Sequence, residues 1–300
     1  MARSSHKLVL SGMIGLLAIL TACQGSDSST SRTTPTGDPS TIRHYVAMGD
    51  SFTSGPGISP GQSDSDICLR SERNYPHLLA EQLAVSKFDD VSCAGASTTQ
   101  VMQDVPADDL DVQSAKAQTA AINRQTDLVT IGIGFNNGLL ASKLFNVCVT
   151  GPQVAAKPCR DFVDGTMPSM LPTQRGQVLA TLRTIRAKAP RATIVLVGYL
   201  PLVPEPSTCS APVLDPGKAE AVFDAERAIE DNLSDVAEEA GVGFVTMRRL
   251  AAGHGICDGA DAWVNGRTVQ RDGDGMVLHP RAAGMTAVAA AVREHLESSR

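Results

Sequence analysis

Five short strand-like segments alternate along this chain with longer amphipathic segments, and that alternation restricts the fold more than any other feature. They predict strands over residues 42–48, 88–92, 127–134, 192–199 and 243–247, of which the first, third and fourth are apolar enough to be buried. The segments between and after them predict helices over residues 74–85, 173–189, 219–240 and 281–296, and loops over 148–170, 201–218 and 251–278. Strands that alternate with helices form parallel sheets through right-handed crossovers. We therefore expect an α/β fold, a three-layer α/β/α sandwich around one parallel sheet.

The amino end of the chain predicts export. Arg3 and Lys7 precede a mostly apolar run, residues 8–20, which is shorter than the ~20 residues that a membrane-spanning helix needs. The run ends in Leu20-Thr21-Ala22-Cys23, which looks like a bacterial lipobox whose cysteine is lipid-modified and becomes the new N-terminus. The alternative is an ordinary signal peptide with an incidental cysteine. We expect a lipoprotein signal peptide over residues 1–22 and an anchor at the outer face of the cell membrane on Cys23, or a secreted protein.

The segment that follows Cys23 predicts a tether. Residues 24–40 are rich in Ser, Thr, Gly, Pro and Asp and contain no apolar side chain to bury. We therefore expect a flexible tether over 23–40 and one folded domain over 41–300. The net charge of −6 and the absence of a basic cluster argue against a nucleic-acid partner.

The first predicted strand runs directly into Gly49-Asp50-Ser51. A glycine before the serine lets the backbone turn sharply and exposes the hydroxyl at the carboxyl end of a strand. Open α/β sheets bind their ligands at that edge. Ser51 is therefore the candidate nucleophile.

A serine needs a base to remove its proton, and histidine is the usual one because its pKa lies near neutrality. His279 stands directly before Pro280, where the last predicted helix begins at the same edge of the sheet. His254, in a glycine-rich loop beside Cys257, is the second choice. We expect His279 to be the general base.

Acyl transfer also needs hydrogen-bond donors for the oxyanion that develops on the substrate. Gly95 follows the second predicted strand and Asn136 follows the third, so both reach the edge that presents Ser51. The expected oxyanion hole consists of the backbone N–H groups of Ser51 and Gly95 and the side-chain amide of Asn136.

Six cysteines remain after the export segment: Cys68, Cys93, Cys148, Cys159, Cys209 and Cys257. An even number in an exported chain suggests disulfides, although spacing does not settle their pairing. No pair has the two-residue spacing typical of zinc ligands, so we expect no metal.

Four blocks of this chain, taken in order, resemble the SGNH (GDSL-type) hydrolases: Gly49-Asp50-Ser51, Gly95, Gly134-Phe135-Asn136 and His279-Pro280. Further stretches, Asn74-Tyr75-Pro76, Trp263-Val264-Asn265 and residues 279–285, look like the secreted actinobacterial branch of lipases and esterases. The resemblance implies a flavodoxin-like parallel sheet and hydrolysis of carboxylic esters. It also implies the disulfides Cys68–Cys93, Cys148–Cys159 and Cys209–Cys257.

The chain departs from that family in two places. In the third block, Phe135 and Asn137 stand where the family often has a glycine and an aspartate. The usual acid of the family lies three residues before the histidine, and that position is Met276 here. Because some members of the branch orient the histidine with a backbone carbonyl, the expected partner of His279 is the Met276 carbonyl or, two residues earlier, the carboxylate of Asp274.

The sequence therefore predicts an exported serine esterase or lipase that forms an acyl-enzyme on Ser51, with His279 as general base. The expected partner is a small-molecule or lipid ester, without a cofactor, and the protein is expected to be a monomer. The alternative is a catalytically inactive surface lipoprotein that binds an acylated ligand of the cell envelope. Met276 and Asn137 are the two residues that motivate this alternative.

Overall fold

The computed structural model describes residues 41–62, 67–104, 116–151 and 156–299. The predicted signal peptide, the tether and the lipidation of Cys23 lie outside these residues. Among the helices of the described ranges, none is both long and apolar enough to cross a membrane.

Five parallel strands form one sheet in the order β2-β1-β3-β4-β5. The strands are β1 (His44–Gly49), β2 (Lys87–Asp90), β3 (Leu128–Gly132), β4 (Thr193–Val197) and β5 (Gly243–Val245). All residues of β1 and β3 are buried, as expected of central parallel strands that helices cover on both faces. The predicted flavodoxin-like strand order is thereby confirmed.

Eight α-helices accompany the sheet in the described residues. They are α1 (Ser51–Ser54), α2 (Tyr75–Leu83), α3 (Thr98–Met102), α4 (Leu140–Leu144), α5 (Lys157–Asp161), α6 (Met167–Lys188), α7 (Pro216–Ala240) and α8 (Ala282–Ser298). Helix α2 packs on α8, and α6 packs on α7. The crossover from β1 to β2 runs along the sheet in the opposite direction from the crossovers β3 to β4 and β4 to β5. Because such crossovers are right-handed, α2, with α8 packed on it, lies on one face of the sheet, and α6 and α7 lie on the other. This arrangement gives the three predicted layers.

The chain order reverses between β1 and β3, because β1 leads outward to β2 while β3 begins the other half of the sheet. Such a switch point opens a crevice at the carboxyl ends of the two strands. Ser51 follows β1 and Asn136 follows β3, so both predicted site segments meet at this crevice.

The prediction of a loop over residues 148–170 is wrong. The chain is helical from 157 to 188, with a π-helical stretch at Phe162–Thr166 between α5 and α6. Its buried residues Cys159, Phe162, Val163 and Met167 recur at helical spacing. Pro158 and Pro168 mask the pattern, but each lies in a first helical turn, where a missing N–H costs nothing.

The three implied disulfides are formed in the structure: Cys68–Cys93, Cys148–Cys159 and Cys209–Cys257. Cys68–Cys93 joins the loop before α2 to the end of the β2 segment, directly beside Gly95. Cys148–Cys159 joins the π-helical stretch Phe145–Thr150, which follows α4, to α5. Cys209–Cys257 joins two of the predicted loops, those that follow β4 and β5.

Candidate active site

Ser51 lies at the first position of α1, immediately after the turn at Gly49 and Asp50. Gly49 has a φ of 146°, and a Cβ there would clash with Thr53 Oγ1 and with the carbonyl oxygen of Gly132. Only glycine fits this turn, which is why the chain can leave a central strand and present a serine within two residues.

Gln118 holds the Gly49 peptide from a distant part of the chain. Its amide accepts a hydrogen bond from Gly49 N–H at 2.8 Å and donates one to the Gly49 carbonyl at 2.9 Å. Gln118 is almost fully buried, so these bonds are not replaced by water. The sequence alone does not reveal this residue, because no spacing relates it to the Gly49-Asp50-Ser51 turn.

His279 approaches Ser51 directly. The distance between His279 Nε2 and Ser51 Oγ is 2.8 Å, and His279 Nδ1 lies 2.8 Å from the carbonyl oxygen of Val277. A carbonyl only accepts hydrogen bonds, so Nδ1 carries the proton and Nε2 is free to accept the proton of the serine hydroxyl. The structure thus brings together the predicted nucleophile and the predicted base with the tautomer that base catalysis requires.

The expected partners of the imidazole are wrong, because Val277 takes that place. The Met276 carbonyl instead accepts the backbone N–H of His279 at 3.3 Å. The carboxylate of Asp274 is bound to Arg281 Nε at 3.0 Å and to the backbone N–H of Ala282 at 2.8 Å. The tight turn from Met276 to His279 aims the intervening carbonyl of Val277 at the ring, an arrangement that residue counting does not reveal.

The loop that contains His279 is fixed by backbone contacts on both sides. Val264 and Pro280 form an antiparallel bridge, and Asn265 N–H donates to the His279 carbonyl at 2.9 Å. On the other side, Met276 N–H donates to the carbonyl of Pro56 at 3.0 Å, in the loop that follows α1. The histidine is therefore tied to the segment that carries the serine without a side-chain acid.

Asp274 offers a direct test of this arrangement. We expect Asp274→Ala to lower the free energy of unfolding by about 2 kcal/mol, since a largely buried Arg281 loses its carboxylate partner and the first N–H of α8 loses its acceptor. Its kcat should fall less than about tenfold, because the Asp274 carboxylate bonds Arg281 and Ala282 and not the imidazole. Loss of the acid of a true triad would instead cost about 10⁴-fold. Urea unfolding and ester hydrolysis measure the two effects, with Asp272→Ala, an exposed neighbour, as the matched control. A fall of kcat near 10⁴-fold would contradict the carbonyl assignment.

Hydrogen bonds connect the turns that carry the predicted oxyanion donors. Gly95, with a φ of 80°, lies in a four-residue turn closed by a 3.0 Å bond from Ala96 N–H to the Cys93 carbonyl, and the positive φ at the third position of this turn favours glycine. Cys93 N–H donates to the Gly49 carbonyl at 3.0 Å, and Asn136 Nδ2 donates to the Ala96 carbonyl at 3.0 Å. These bonds join the Gly95 turn to the serine turn on one side and to Asn136 on the other.

Asn137, the position at which the family often has an aspartate, makes hydrogen bonds that hold two helices together. Its side chain accepts from Thr98 N–H at 3.1 Å and donates to Thr98 Oγ1 at 3.0 Å and to Gln177 at 2.7 Å. It thereby ties the start of α3 to α6. An amide fits this position because its partners require one acceptor and two donors, whereas an ionised carboxylate has acceptors only.

The aspartate before the nucleophile is buried and hydrogen-bonded. Asp50 accepts from Phe52 N–H at 2.9 Å through Oδ1 and from the Tyr199 hydroxyl at 2.6 Å through Oδ2. Burial raises the pKa of Asp50 to about 7, although both hydrogen bonds act against that rise. Tyr199, two residues beyond β4, is likewise a residue whose contact with Asp50 the sequence alone does not reveal.

Burial lowers the pKa of His279 below its ordinary value of 6.5, and the bond to the Val277 carbonyl only partly offsets that effect. A lowered pKa keeps the imidazole neutral at neutral pH, which is the state that accepts a proton from Ser51. The Phe52 ring lies 5.5 Å from the His279 ring and contributes to this burial.

His254, the second choice for the base, is engaged elsewhere. Its ring stacks on Trp263 at 3.9 Å, and its Nδ1 lies 2.7 Å from the Asp261 carbonyl. Within the described ranges, no cluster of His, Cys, Asp and Glu side chains could hold a metal ion.

This chain is similar to a family of lipases and acylhydrolases and to several characterised members of it. A family model described as GDSL-like lipase/acylhydrolase matches residues 47–287. Lipase 1 of Streptomyces coelicolor is 28% identical over 278 residues, which span 91% of this chain and 94% of that protein. The structure of phospholipase A1 from Streptomyces albidoflavus has a TM-score of 0.70 at 28% identity and covers 86% of this chain and 100% of its own. The extracellular lipase from Streptomyces rimosus has a TM-score of 0.67 at 27% identity, with the same coverage.

Proposed function

This chain belongs to the GDSL-like lipase/acylhydrolase family and is a carboxylic ester hydrolase, and from that premise we propose that it is an exported serine esterase acting through Ser51 and His279. The observation that carries the proposal is the 2.8 Å approach of His279 Nε2 to Ser51 Oγ, in a histidine whose Nδ1 proton is held by a carbonyl. The two residues come from opposite ends of the folded chain, and the fold brings them together at the switch point of the sheet.

In the proposed reaction, Ser51 Oγ attacks the ester carbonyl carbon while its proton moves to His279 Nε2. The negative oxygen of the tetrahedral intermediate accepts hydrogen bonds from Ser51 N–H, Gly95 N–H and the Asn136 amide. The bond to the leaving oxygen breaks, and the alcohol departs with the proton from Nε2. Water then gives a proton to His279, attacks the acyl-enzyme and releases the carboxylic acid, and Ser51 regains its proton.

The Val277 carbonyl stabilises the imidazolium that forms at each of these steps. A carbonyl carries only a partial negative charge, so it stabilises this cation less than a carboxylate would. The mechanism is therefore that of a Ser–His dyad with a backbone acceptor, and it uses no metal or cofactor.

Exposed apolar side chains beside the site support an ester with an apolar acyl group as the substrate. Leu139, Met276 and Val277 are 65%, 40% and 40% exposed. Leu139 N–H donates to the Asn136 carbonyl, and the other two residues precede His279 by three and two positions. Large exposed apolar groups gathered near one site are typical of a surface that contacts apolar molecules.

A fluorophosphonate probe tests the proposal, because it labels activated serines. We expect labelling of the wild type and none of Ser51→Ala. Ser54→Ala is the matched control: it removes a hydroxyl from the same helix, one that is buried without a hydrogen-bond partner among the described residues, and it should label like the wild type. Equal labelling of Ser51→Ala and the wild type would contradict the assignment of Ser51 as the nucleophile. An inactive binding lipoprotein would instead turn over no p-nitrophenyl ester while it retained an acylated ligand.

Export and anchoring are also proposed, and three disulfides support the first, since such bonds persist in oxidising compartments. The lipobox at Leu20-Thr21-Ala22-Cys23 supports a lipid anchor. Cys23→Ser should shift the protein from the membrane fraction to the medium in a bacterial host that processes lipoproteins. An unchanged membrane fraction, measured by immunoblot, would reject the anchor.

A further inference from the structure

A buried hydrogen-bonded chain joins three strand ends behind the catalytic pair. Asp50 follows β1, Tyr199 follows β4 and Phe135 follows β3. The Tyr199 hydroxyl donates to Asp50 Oδ2 at 2.6 Å and accepts the backbone N–H of Phe135 at 3.0 Å. Asp50 directly precedes the nucleophile, and Phe135 directly precedes Asn136, so the chain spans the two segments that the reaction uses.

We infer that Tyr199 is a positioning residue, whose hydroxyl holds the serine turn and the oxyanion turn at a fixed separation. The inference rests on the proposed function and adds a residue that lies outside the four sequence blocks. Tyr199 acts through Asp50 and Phe135 and does not itself touch the reacting atoms. An acyl-transfer site depends on such spacing, because a displacement of about 1 Å between catalytic groups costs up to about 10²-fold in rate.

The hydroxyl and the ring of Tyr199 have separable roles. The ring contacts Phe52 edge-on at 5.2 Å and Phe135 at 5.0 Å, and Phe52 in turn contacts His279. A phenylalanine at this position keeps those ring contacts and loses only the hydroxyl. The change from tyrosine to phenylalanine therefore isolates the hydrogen-bonded chain from the packing around it.

Without the hydroxyl, two buried groups lose their partner at once. Asp50 is almost fully buried and would keep only the bond from Phe52 N–H. The N–H of Phe135 would be left without an acceptor among the described residues. Unsatisfied groups of this kind are costly in an apolar interior, so the two turns would shift until each found another partner.

The alternative is that the hydroxyl stabilises the core and has no influence on the site. Tyr45 provides the comparison that separates the two readings. Tyr45 is fully buried, and its hydroxyl lies 2.7 Å from Thr130 Oγ1, within the same sheet and on the strand that leads to Ser51. Tyr45→Phe is the same chemical change, and among the described residues it breaks no hydrogen bond to Asp50 or Phe135.

The experiment compares kcat and KM for hydrolysis of a soluble p-nitrophenyl ester by Tyr199→Phe, Asp50→Ala, the double variant and Tyr45→Phe. We expect Tyr199→Phe and Asp50→Ala each to lower kcat about 10- to 100-fold with KM changed less than about twofold. The double variant should be no worse than the poorer single variant, because both break one chain. Tyr45→Phe should lower the unfolding midpoint and leave kcat unchanged.

A wild-type kcat in Tyr199→Phe would overturn the inference, as would an equal loss of kcat in Tyr45→Phe. Multiplied losses in the double variant would also overturn it, since they would mean independent effects. If Tyr199→Phe fails to fold, Asp50→Ala, which removes the acceptor of the Tyr199 hydroxyl, decides the matter: a wild-type kcat in that variant would overturn the inference. Ser51→Ala, measured in the same assay, distinguishes failure of the proposed function from failure of the positioning role. Turnover by Ser51→Ala rejects the proposed function. An inactive Ser51→Ala together with a wild-type kcat in Tyr199→Phe rejects only the positioning role of Tyr199.

Discussion

Removal of either member of the Ser51–His279 pair is expected to lower kcat/KM for a carboxylic ester by about 10⁴-fold or more. Ser51→Ala removes the atom that forms the acyl-enzyme, and His279→Ala leaves a hydroxyl that ionises too weakly to attack. The two act on one proton, so the double variant should lose no more than the worse single variant. Steady-state kinetics on a p-nitrophenyl ester, with the residual rate compared with the uncatalysed reaction, measures all three.

His254→Ala is the matched control for this prediction. Both histidines have Nδ1 within 2.8 Å of a backbone carbonyl, but only His279 reaches Ser51. We expect kcat/KM of His254→Ala within about threefold of the wild type, because no catalytic bond is lost. A loss near 10⁴-fold in His254→Ala, or additive losses in the double Ser51 and His279 variant, would contradict the assigned pair.

Asn136→Ala is expected to lower kcat by about 10²- to 10³-fold with a much smaller change in KM. The amide is proposed to bind the oxyanion, which forms only after the ground state, so its loss affects the transition state most. The variant also loses the bond from Asn136 Nδ2 to the Ala96 carbonyl, which should cost about 1 kcal/mol of stability.

The adjacent Asn137 supplies the opposite pattern. Its side chain makes three hydrogen bonds to Thr98 and Gln177, so Asn137→Ala should reduce the free energy of unfolding by about 2–3 kcal/mol. Its kcat at a temperature where the variant is folded should fall far less than that of Asn136→Ala. The same loss of kcat in both variants would remove the case for Asn136 as an oxyanion donor.

The architecture could be predicted because the central strands are mostly apolar and the helices keep one apolar face. Those patterns are local, and so are the turns at Gly49, where only glycine fits, and at Gly95, whose positive φ favours glycine. The family expected from four short blocks is confirmed by a family model that spans residues 47–287. Ser51 and His279 could be paired in advance because each stands next to the carboxyl edge of the sheet in chain order.

What could not be predicted depends on contacts between distant segments or on backbone atoms. Gln118 and Tyr199 bind the serine turn from parts of the chain that share no spacing with it. The Val277 carbonyl could not be found by searching for an acidic side chain, because every residue has a carbonyl and only the turn aims it. The helical course of residues 157–188 was hidden by prolines whose effect depends on their position within a turn.

The acceptor on His279 is a main-chain atom, and this decides which positions an engineer can vary. A triad aspartate cannot be replaced without loss of its function, whereas any residue placed at position 277 still provides a carbonyl. The Val277 residue is partly exposed at the surface near His279, and it is its carbonyl, not its side chain, that orients the imidazole. Under the proposed mechanism, substitutions at this single position should therefore change the side chain beside His279 while the hydrogen bond from His279 Nδ1 to the carbonyl is retained.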